Sequence, residues 1–376
     1  MNEKYRLREI ASLFLKLGII GFGGPAAHIA MMQDEVVVRR KWMSQQHFLD
    51  LVGATNLIPG PNSTEMAIHI GHERAGWKGL IVAGLCFILP AVIITGFFAW
   101  LYKDYGHLPK FQPFIYGIKP AIIAIILGAI YPLAKKSLKT LQLWFIGGIT
   151  LLLSLLGYNE IWLLFGAGFV AVLLSIINTS RNAAASGIFL PFLDGQHTMP
   201  EISVSNMKLF FIFLKIGAIL YGSGYVLFAF LDTELVSTGM LTRQQLIDAI
   251  AVGQFTPGPV FSSVTFVGYQ INSLSGAVLS TIAIFLPSFL FVALLNPLVK
   301  KARKSKIFSI FLDAVNVASV AIIVAVCYDM GKEVITDWKS ILIAACSLIL
   351  TFGFRKINSA FIVLGGAIFG YLLALI

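Results

Sequence analysis

Asn56-Leu57-Ile58-Pro59-Gly60-Pro61-Asn62-Ser63-Thr64-Glu65 decides the fold. The stretch lies in an apolar region, yet two prolines bracket a glycine, so no unbroken α-helix runs through it. In a bilayer, backbone groups freed from helical bonding need another partner, and broken helices are tolerated only where protein or a water-filled cavity supplies one. Pro61 suits the first position of a new half-helix, where its missing N–H costs nothing, and Asn62, Ser63 and Thr64 bring amide and hydroxyl groups to that end. A helix N-terminus buried this way is suited to an anion. The same device returns at Thr256-Pro257-Gly258-Pro259, followed by Ser262 and Ser263. Two such breaks at corresponding places of two halves point to the substrate site of a transporter.

The composition agrees. A chain of 376 residues that is 57% hydrophobic and 12% charged exceeds what a soluble core can bury, so it is an all-α polytopic membrane protein whose surroundings are lipid. The net charge of +10 does not indicate nucleic acid, because the basic residues sit mostly in short loops between apolar runs, where they set topology. Lys4, Arg6 and Arg8 precede the first apolar run, which lacks a small-residue cleavage site and is read as retained. Cys86, Cys327 and Cys346 stand singly in apolar segments and read as small buried hydrophobes. The six histidines are scattered, no metal-binding spacing appears, and neither a Walker A sequence nor a dinucleotide fingerprint is present. No cofactor or metal is expected, and energy must come from an ion gradient or from the solute's own gradient.

Apolar segments fall near residues 12–32, 47–71, 77–102, 113–133, 141–157 and 160–178, and again near 207–231, 243–270, 275–298, 308–328, 338–353 and 357–376. Some ten to twelve membrane segments are expected, with 47–71 and 243–270 interrupted. The division is a first repeat at 1–178, a polar linker at 179–206 and a second repeat at 207–376. Phe14-Leu15-Lys16-Leu17-Gly18 matches Phe213-Leu214-Lys215-Ile216-Gly217; Gly23 falls on Gly222, Glu35 on Glu234, Asp50 on Asp248, and Pro59-Gly60-Pro61 on Pro257-Gly258-Pro259. Gly71 then falls on Gly268, Gly79 on Gly276 and Leu89-Pro90 on Leu286-Pro287, with the offset drifting only from 199 to 197. This is a tandem duplication.

Charge orients the halves. Lys135, Lys136 and Lys139 follow the fourth segment of the first half, whereas the second half is most basic one loop earlier, at Lys300, Lys301, Arg303, Lys304 and Lys306. If basic loops face the cytoplasm, equivalent loops face opposite sides, and the repeats are inverted. The first two segments of each half do not fit this crossing count, which predicts that one of them is re-entrant.

Several residues could carry chemistry. Lys16 and Lys215 lie on apolar helical runs leading into the glycine-rich breaks Gly21-Phe22-Gly23-Gly24-Pro25 and Tyr221-Gly222-Ser223-Gly224-Tyr225, with Pro25 placed to start a helix. Such lysines either serve function at membrane depth or snorkel to the headgroups. Arg39 and Arg40 could gather an anion at a vestibule, or belong to an ordinary ion-paired loop. Glu35, matched by Glu234, is a candidate partner of Lys16 or a proton relay. Glu65 is awkward beside an anion-seeking helix start unless paired or protonated, which would suit proton coupling, and His69 lies one turn on. Ser44 and Thr242 look like helix N-caps, the latter with Gln245 completing a capping box.

Phe22-Gly23-Gly24-Pro25-Ala26-Ala27-His28-Ile29-Ala30, with Asn56 to Asn62 and Thr256-Pro257-Gly258-Pro259-Val260-Phe261, resembles the chromate transporter family in its long-chain, two-domain form. The resemblance covers essentially the whole chain. It implies export of chromate, with sulfate as a related or competing oxyanion, driven by membrane potential or protons, and chromate resistance for the cell. The departure lies at Gly222-Ser223-Gly224, which stands where the first half has Gly23-Gly24-Pro25.

These readings converge on a secondary transporter of a divalent tetrahedral oxyanion in the cytoplasmic membrane, and not on an enzyme. The anion would sit between the Pro61 and Pro259 half-helix starts, held by backbone N–H groups and by Asn56, Asn62, Ser63, Thr64, Ser262 and Ser263. Gly23, Gly24 and Gly222 would let backbone approach, and Lys16 and Lys215 would offset two negative charges. The rival reading is a passive anion channel or a translocase for another anionic solute. A homodimer is compatible with the sequence.

Overall fold

A computed structural model describes residues 3–22, 24–106, 108, 111–179, 205–221, 224–302, 305–354 and 357–375. The described residues are helical, with no strand. In the first half these are α1 (Glu3–Ile20), α2 (Gly24–Gln33) leading into a π-turn at Asp34–Arg39, α3 (Gln45–Thr55), α4 (Asn62–Tyr105), α5 (Gln112–Ser137), α6 (Leu141–Leu155) and α7 (Glu160–Thr179). The second half repeats the order: α8 (Asn206–Ile219), α9 (Val226–Leu231) with a π-turn at Asp232–Val236, α10 (Arg243–Phe255), α11 (Ser263–Ala302), α12 (Lys306–Val334), α13 (Trp338–Gly353) and α14 (Ser359–Ala374). The expected caps are made: the Ser44 hydroxyl accepts from the His47 N–H, and Thr242 and Gln245 form a reciprocal capping box. Five stretches, within α4, α5, α7, α11 and α12, are long and apolar enough to span a membrane; α6, α13 and α14 are shorter apolar helices.

α4 and α11 are each two helices joined by a tight reversal, at Ala75 and Gly76 and at Asn272 and Ser273. The matched glycines explain the closeness of the arms. A Cβ on Gly71 would stand 2.3 Å from the Gly79 carbonyl oxygen, and one on Gly268 would stand 2.4 Å from that of Gly276. The repeated glycines are thus each other's partners, and small residues let two helical backbones touch.

Ion pairs fix which ends share a face. Arg74 pairs with Glu9 at 2.9 Å, Lys78 with Glu3 at 2.9 Å, and Gln33 bonds Gln45 at 3.2 Å. Arg40 and Arg74 both lie over the Trp42 ring, at 5.5 and 4.8 Å. The start of α1, the end of α2, the start of α3 and the end of the first arm of α4 therefore gather at one face. α1–α2 and α3 with that arm each enter and return. Both early segments of this half are re-entrant, where the charge count had called for one; the charge rule fails because neither pair crosses.

At the opposite face, Lys103 near the end of α4 bonds Ser273 at 2.8 Å, and Asn206 at the start of α8 accepts from Asn272 at 2.9 Å. Tyr116, early in α5, bonds Asp337 beyond the end of α12 at 2.5 Å, whereas Lys139, beyond the end of α5, pairs with Asp313, early in α12, at 2.9 Å. The corresponding helices α5 and α12 thus run in opposite directions, as an inverted repeat demands.

A large apolar core runs through the second half and α5–α7, and a smaller one, with Phe14, Phe48 and Phe87 fully buried, holds the re-entrant pairs of the first half. α14 meets α5 at glycines: a Cβ on Gly117 would lie 2.1 Å from the Gly366 carbonyl oxygen and 2.7 Å from the Gly370 Cα. Gly117→Val is expected to push the two helices apart at a cost of about 1–3 kcal/mol, the usual scale of overpacking. A lowered melting temperature in detergent checks this, with Gly365→Ala, which meets nothing within 4 Å, as the neutral control.

Candidate functional site

The two Pro-Gly-Pro breaks lie buried at the centre, and each is completed by the other half. The Gly60 N–H donates to the Leu220 carbonyl at 2.8 Å, and the Gly258 N–H to the Gly21 carbonyl at 2.7 Å. Leu220 occupies the place of Gly21 in the second half, so this is one contact made twice about a pseudo-two-fold axis. The same symmetry sets the packing. A Cβ on Gly60 would stand 2.5 Å from the Ser288 Oγ, and one on Gly258 2.8 Å from the Ala91 Cβ; Ala91 and Ser288 follow the matched Leu-Pro pairs. Gly60 and Gly258 have φ of +135° and +92°, values that L side chains rarely adopt.

Pro61 stands one position earlier than expected. It caps α4 from outside, with φ −78° and ψ 95°, while its carbonyl accepts from the Thr64 and Glu65 N–H groups at 2.8 and 3.0 Å. Pro259 likewise caps a 3-10 turn, Val260–Ser262, before α11 begins at Ser263. The extended backbone forced by each Pro-Gly-Pro delays helix entrance by a residue or more. Asn62 donates to the Asn56 Oδ1 at 2.9 Å, so the two amides clasp across the first break.

Pro59, Pro61, Ser63, Thr64, Pro257, Pro259, Ser262 and Ser263 are buried here. Ser262 reaches Thr95 of the first half at 3.4 Å. Glu65 is fully buried; its Oε1 accepts from Ser288 at 3.4 Å, and among the described residues its Oε2 has no hydrogen-bond partner. Thr64 Oγ1, Ser263 Oγ and both ring nitrogens of His69 are also buried without one, so Glu65 and His69 do not bond each other despite their spacing. Native interiors satisfy most buried polar groups, and a concentration of unsatisfied ones marks a place where a solute or water belongs.

Comparison with known proteins bears on what that solute is. The family described as chromate transporter matches residues 8–172 and, a second time, 207–371. The chain belongs to the chromate transporter family. It is 31% identical to the chromate transport protein of Cupriavidus metallidurans, over 97% of this chain and 93% of that one. It is 30% identical to the probable chromate transport protein of Synechococcus elongatus, over 98% and 96%. An uncharacterized transporter of Bacillus subtilis, 31% identical, aligns with 43% of this chain and 80% of its own. No solved structure matches.

Among chromate transporter features, the lysines take a definite place. Lys16 pairs with Glu35 at 2.7 Å and Lys215 with Glu234 at 2.6 Å, the lysine side chains being 49% and 46% exposed. Each lysine is held by a carboxylate of its own half, outside the buried breaks. Arg40 joins Glu35 at 3.2 Å, and Arg39 pairs with Asp34 at 2.7 Å. Glu35 lies on the π-turn between the re-entrant pairs; the hydrogen bond from Lys16, helped by Arg40, holds its carboxyl below the ordinary glutamate range against the opposing effect of burial. Gly24, with φ +78°, opens α2 and Pro25 follows in its first turn. Gly23, Gly222 and Ser223 lie outside the described residues, as does most of the 179–206 linker.

The sequence reading did not select Ser288 or His28. Ser288 directly follows the matched Leu286-Pro287, so it was signalled by position. His28 reaches the Gly21 carbonyl at 2.9 Å, and only packing could reveal that. Among the described residues, no group of three or more His, Cys, Asp or Glu side chains is placed to hold a metal.

Proposed function

We propose that this protein is a secondary active transporter that carries chromate, or a related divalent oxyanion such as sulfate, out of the cell across the cytoplasmic membrane and so confers chromate resistance. The observation that supports this most is the pair of symmetry-related broken helices, whose buried starts carry the Thr64 and Ser263 hydroxyls without partners among the described residues. The oxyanion would be held between them by backbone N–H groups and by Asn62, Ser63, Thr64, Ser262 and Ser263, with Gly60 and Gly258 allowing close backbone approach. The names of the full-length relatives supply chromate as the first candidate.

Charge balance then assigns a proton to Glu65. Lys16 and Lys215 can offset the dianion only after leaving Glu35 and Glu234. With those pairs intact, an ionised Glu65 would add a third negative charge in a medium that stabilises none of them. Anion binding is therefore coupled to protonation of Glu65.

The test is radiolabelled chromate uptake into inverted vesicles, with and without an imposed proton gradient, acid outside, and with excess unlabelled sulfate. Saturable, gradient-stimulated uptake that sulfate competes poorly is expected. Faster movement of labelled sulfate would retain the anion site and replace the substrate; movement of neither would overturn the reading. Flux far above a carrier's turnover, without counterflow, would identify a channel instead.

A further inference from the structure

The two halves repeat in sequence but not in conformation. Beyond the breaks the repeat continues at a separation of 197: Phe111 falls on Phe308, Phe114 on Phe311, Tyr131 on Tyr328 and Lys135 on Lys332. α5 and α12 are therefore corresponding helices, as are α3 and α10. Between the end of α3 and the start of α12 lies a cavity of about 210 Å³, lined by Gly53, Asn56 and Leu57 on one side and Phe308, Leu312 and Asn316 on the other. It leads from the face that bears Lys139 to the first break, where Asn56 clasps Asn62.

At the matched place between α10 and α5 the space is closed. Gln254, which corresponds to the exposed Asn56, is 7% exposed. Phe255, corresponding to Leu57, meets Phe98 edge-on at 5.5 Å and packs against the Ala121 and Ile125 cluster. Nearly two turns before, buried Asp248 takes a hydrogen bond from Tyr102 at 2.7 Å and an ion pair from Lys119 at 3.5 Å. The position matching Lys119 is Asn316, which carries no charge to offer at that register, and the position matching Asp248 is Asp50.

An inverted repeat whose halves adopt different conformations is in one of two exchangeable states, because swapping the conformations opens the other side. We propose that the α3–α12 cavity is the open access path to the central site, and that Lys119, Asp248 and Tyr102 form the gate that closes the equivalent path between α5 and α10. The face onto which the cavity opens carries the end of α5 with Lys135, Lys136 and Lys139, and Lys139 pairs there with Asp313, so it is the cytoplasmic one. The protein rests open to the compartment that an exporter empties. The charged gate biases it so, since closing the cytoplasmic path gains no matching ion pair. This inference holds whichever anion is carried.

The test reads accessibility and needs no transported solute, so its failure is distinct from failure of the chromate reading. With Cys86, Cys327 and Cys346 replaced by alanine, single Asn56→Cys and Gln254→Cys variants are treated with a membrane-impermeant maleimide in vesicles of each orientation. Asn56→Cys is expected to react in inverted vesicles, and Gln254→Cys to be protected about tenfold or more from either side, the ratio of a minor to a major state. Adding Asp248→Asn should expose Gln254→Cys in right-side-out vesicles, and the exchanged pair Lys119→Asp with Asp248→Lys should restore protection. If Asp248→Asn does not insert, Lys119→Gln is read in the same way. Equal reactivity of the two positions with the gate intact, reaction of Asn56→Cys only from the opposite side, or continued protection of Gln254→Cys after the gate is broken would each overturn the proposal.

Discussion

Glu65→Gln is expected to abolish the response of chromate flux to an imposed proton gradient. Glu65 is fully buried, and among the described residues its carboxylate takes a hydrogen bond from Ser288 while its Oε2 has no partner. An isolated carboxylate in such a place is sustained only by neutralisation or by a counter-charge, and the two lysines that the sequence offered are engaged elsewhere: Lys16 and Lys215 pair with Glu35 and Glu234. The amide reproduces the shape of the protonated acid and removes its exchange, so binding should persist while gradient stimulation, on the order of tenfold if one proton is coupled across one pH unit, disappears. Side-by-side uptake by wild type and variant, at matched expression and with and without the gradient, measures this. Undiminished stimulation in Glu65→Gln would remove the carboxylate from the coupling path and leave the anion site standing.

Gly60→Ala is expected to abolish transport while leaving the chain inserted. At φ +135° an alanine is strained before any contact is considered, at about 1–3 kcal/mol. Its Cβ would then fall 2.4 Å from the Glu65 Oε1 and 2.5 Å from the Ser288 Oγ, so the hydrogen bond between those two side chains has to rearrange. Gly258→Ala carries similar backbone strain and meets the Ala91 Cβ at 2.8 Å and the Gly18 carbonyl oxygen at 3.3 Å, but it disturbs no buried carboxylate and should lose less. Gly331→Ala, in a helix with nothing within 4 Å, should behave as wild type. Transport equal to wild type in Gly60→Ala would mean that the break is not the site.

What could be read from the sequence was whatever is written in residue identity and local spacing. The proline–glycine breaks, the duplication, the caps at Ser44 and Thr242 and the proximity of Lys16 to Glu35 all follow from short-range pattern, and the inversion from charge in the loops. Two things were hidden. The re-entrant character of both early pairs rests on where Arg74 and Trp42 meet, a contact of side chains 32 residues apart. The completion of each break by the opposite half uses backbone N–H and carbonyl groups, which any residue carries, across some 160 to 240 positions of chain. Position in the repeat, not residue type, was the available signal: Gly21 and Leu220 differ in every chemical respect and yet do the same work.

The reciprocal bonds of Gly60 to Leu220 and Gly258 to Gly21 also constrain how the molecule is made. During synthesis the amino-terminal half leaves the ribosome with the acceptor for its own break not yet translated. Its Gly60 amide must stay hydrated, or the loop unseated, until Leu220 is inserted with opposite orientation. The two halves therefore lock together late and simultaneously, like a clasp whose two hooks are each other's eyes, and neither half on its own can hold a finished centre.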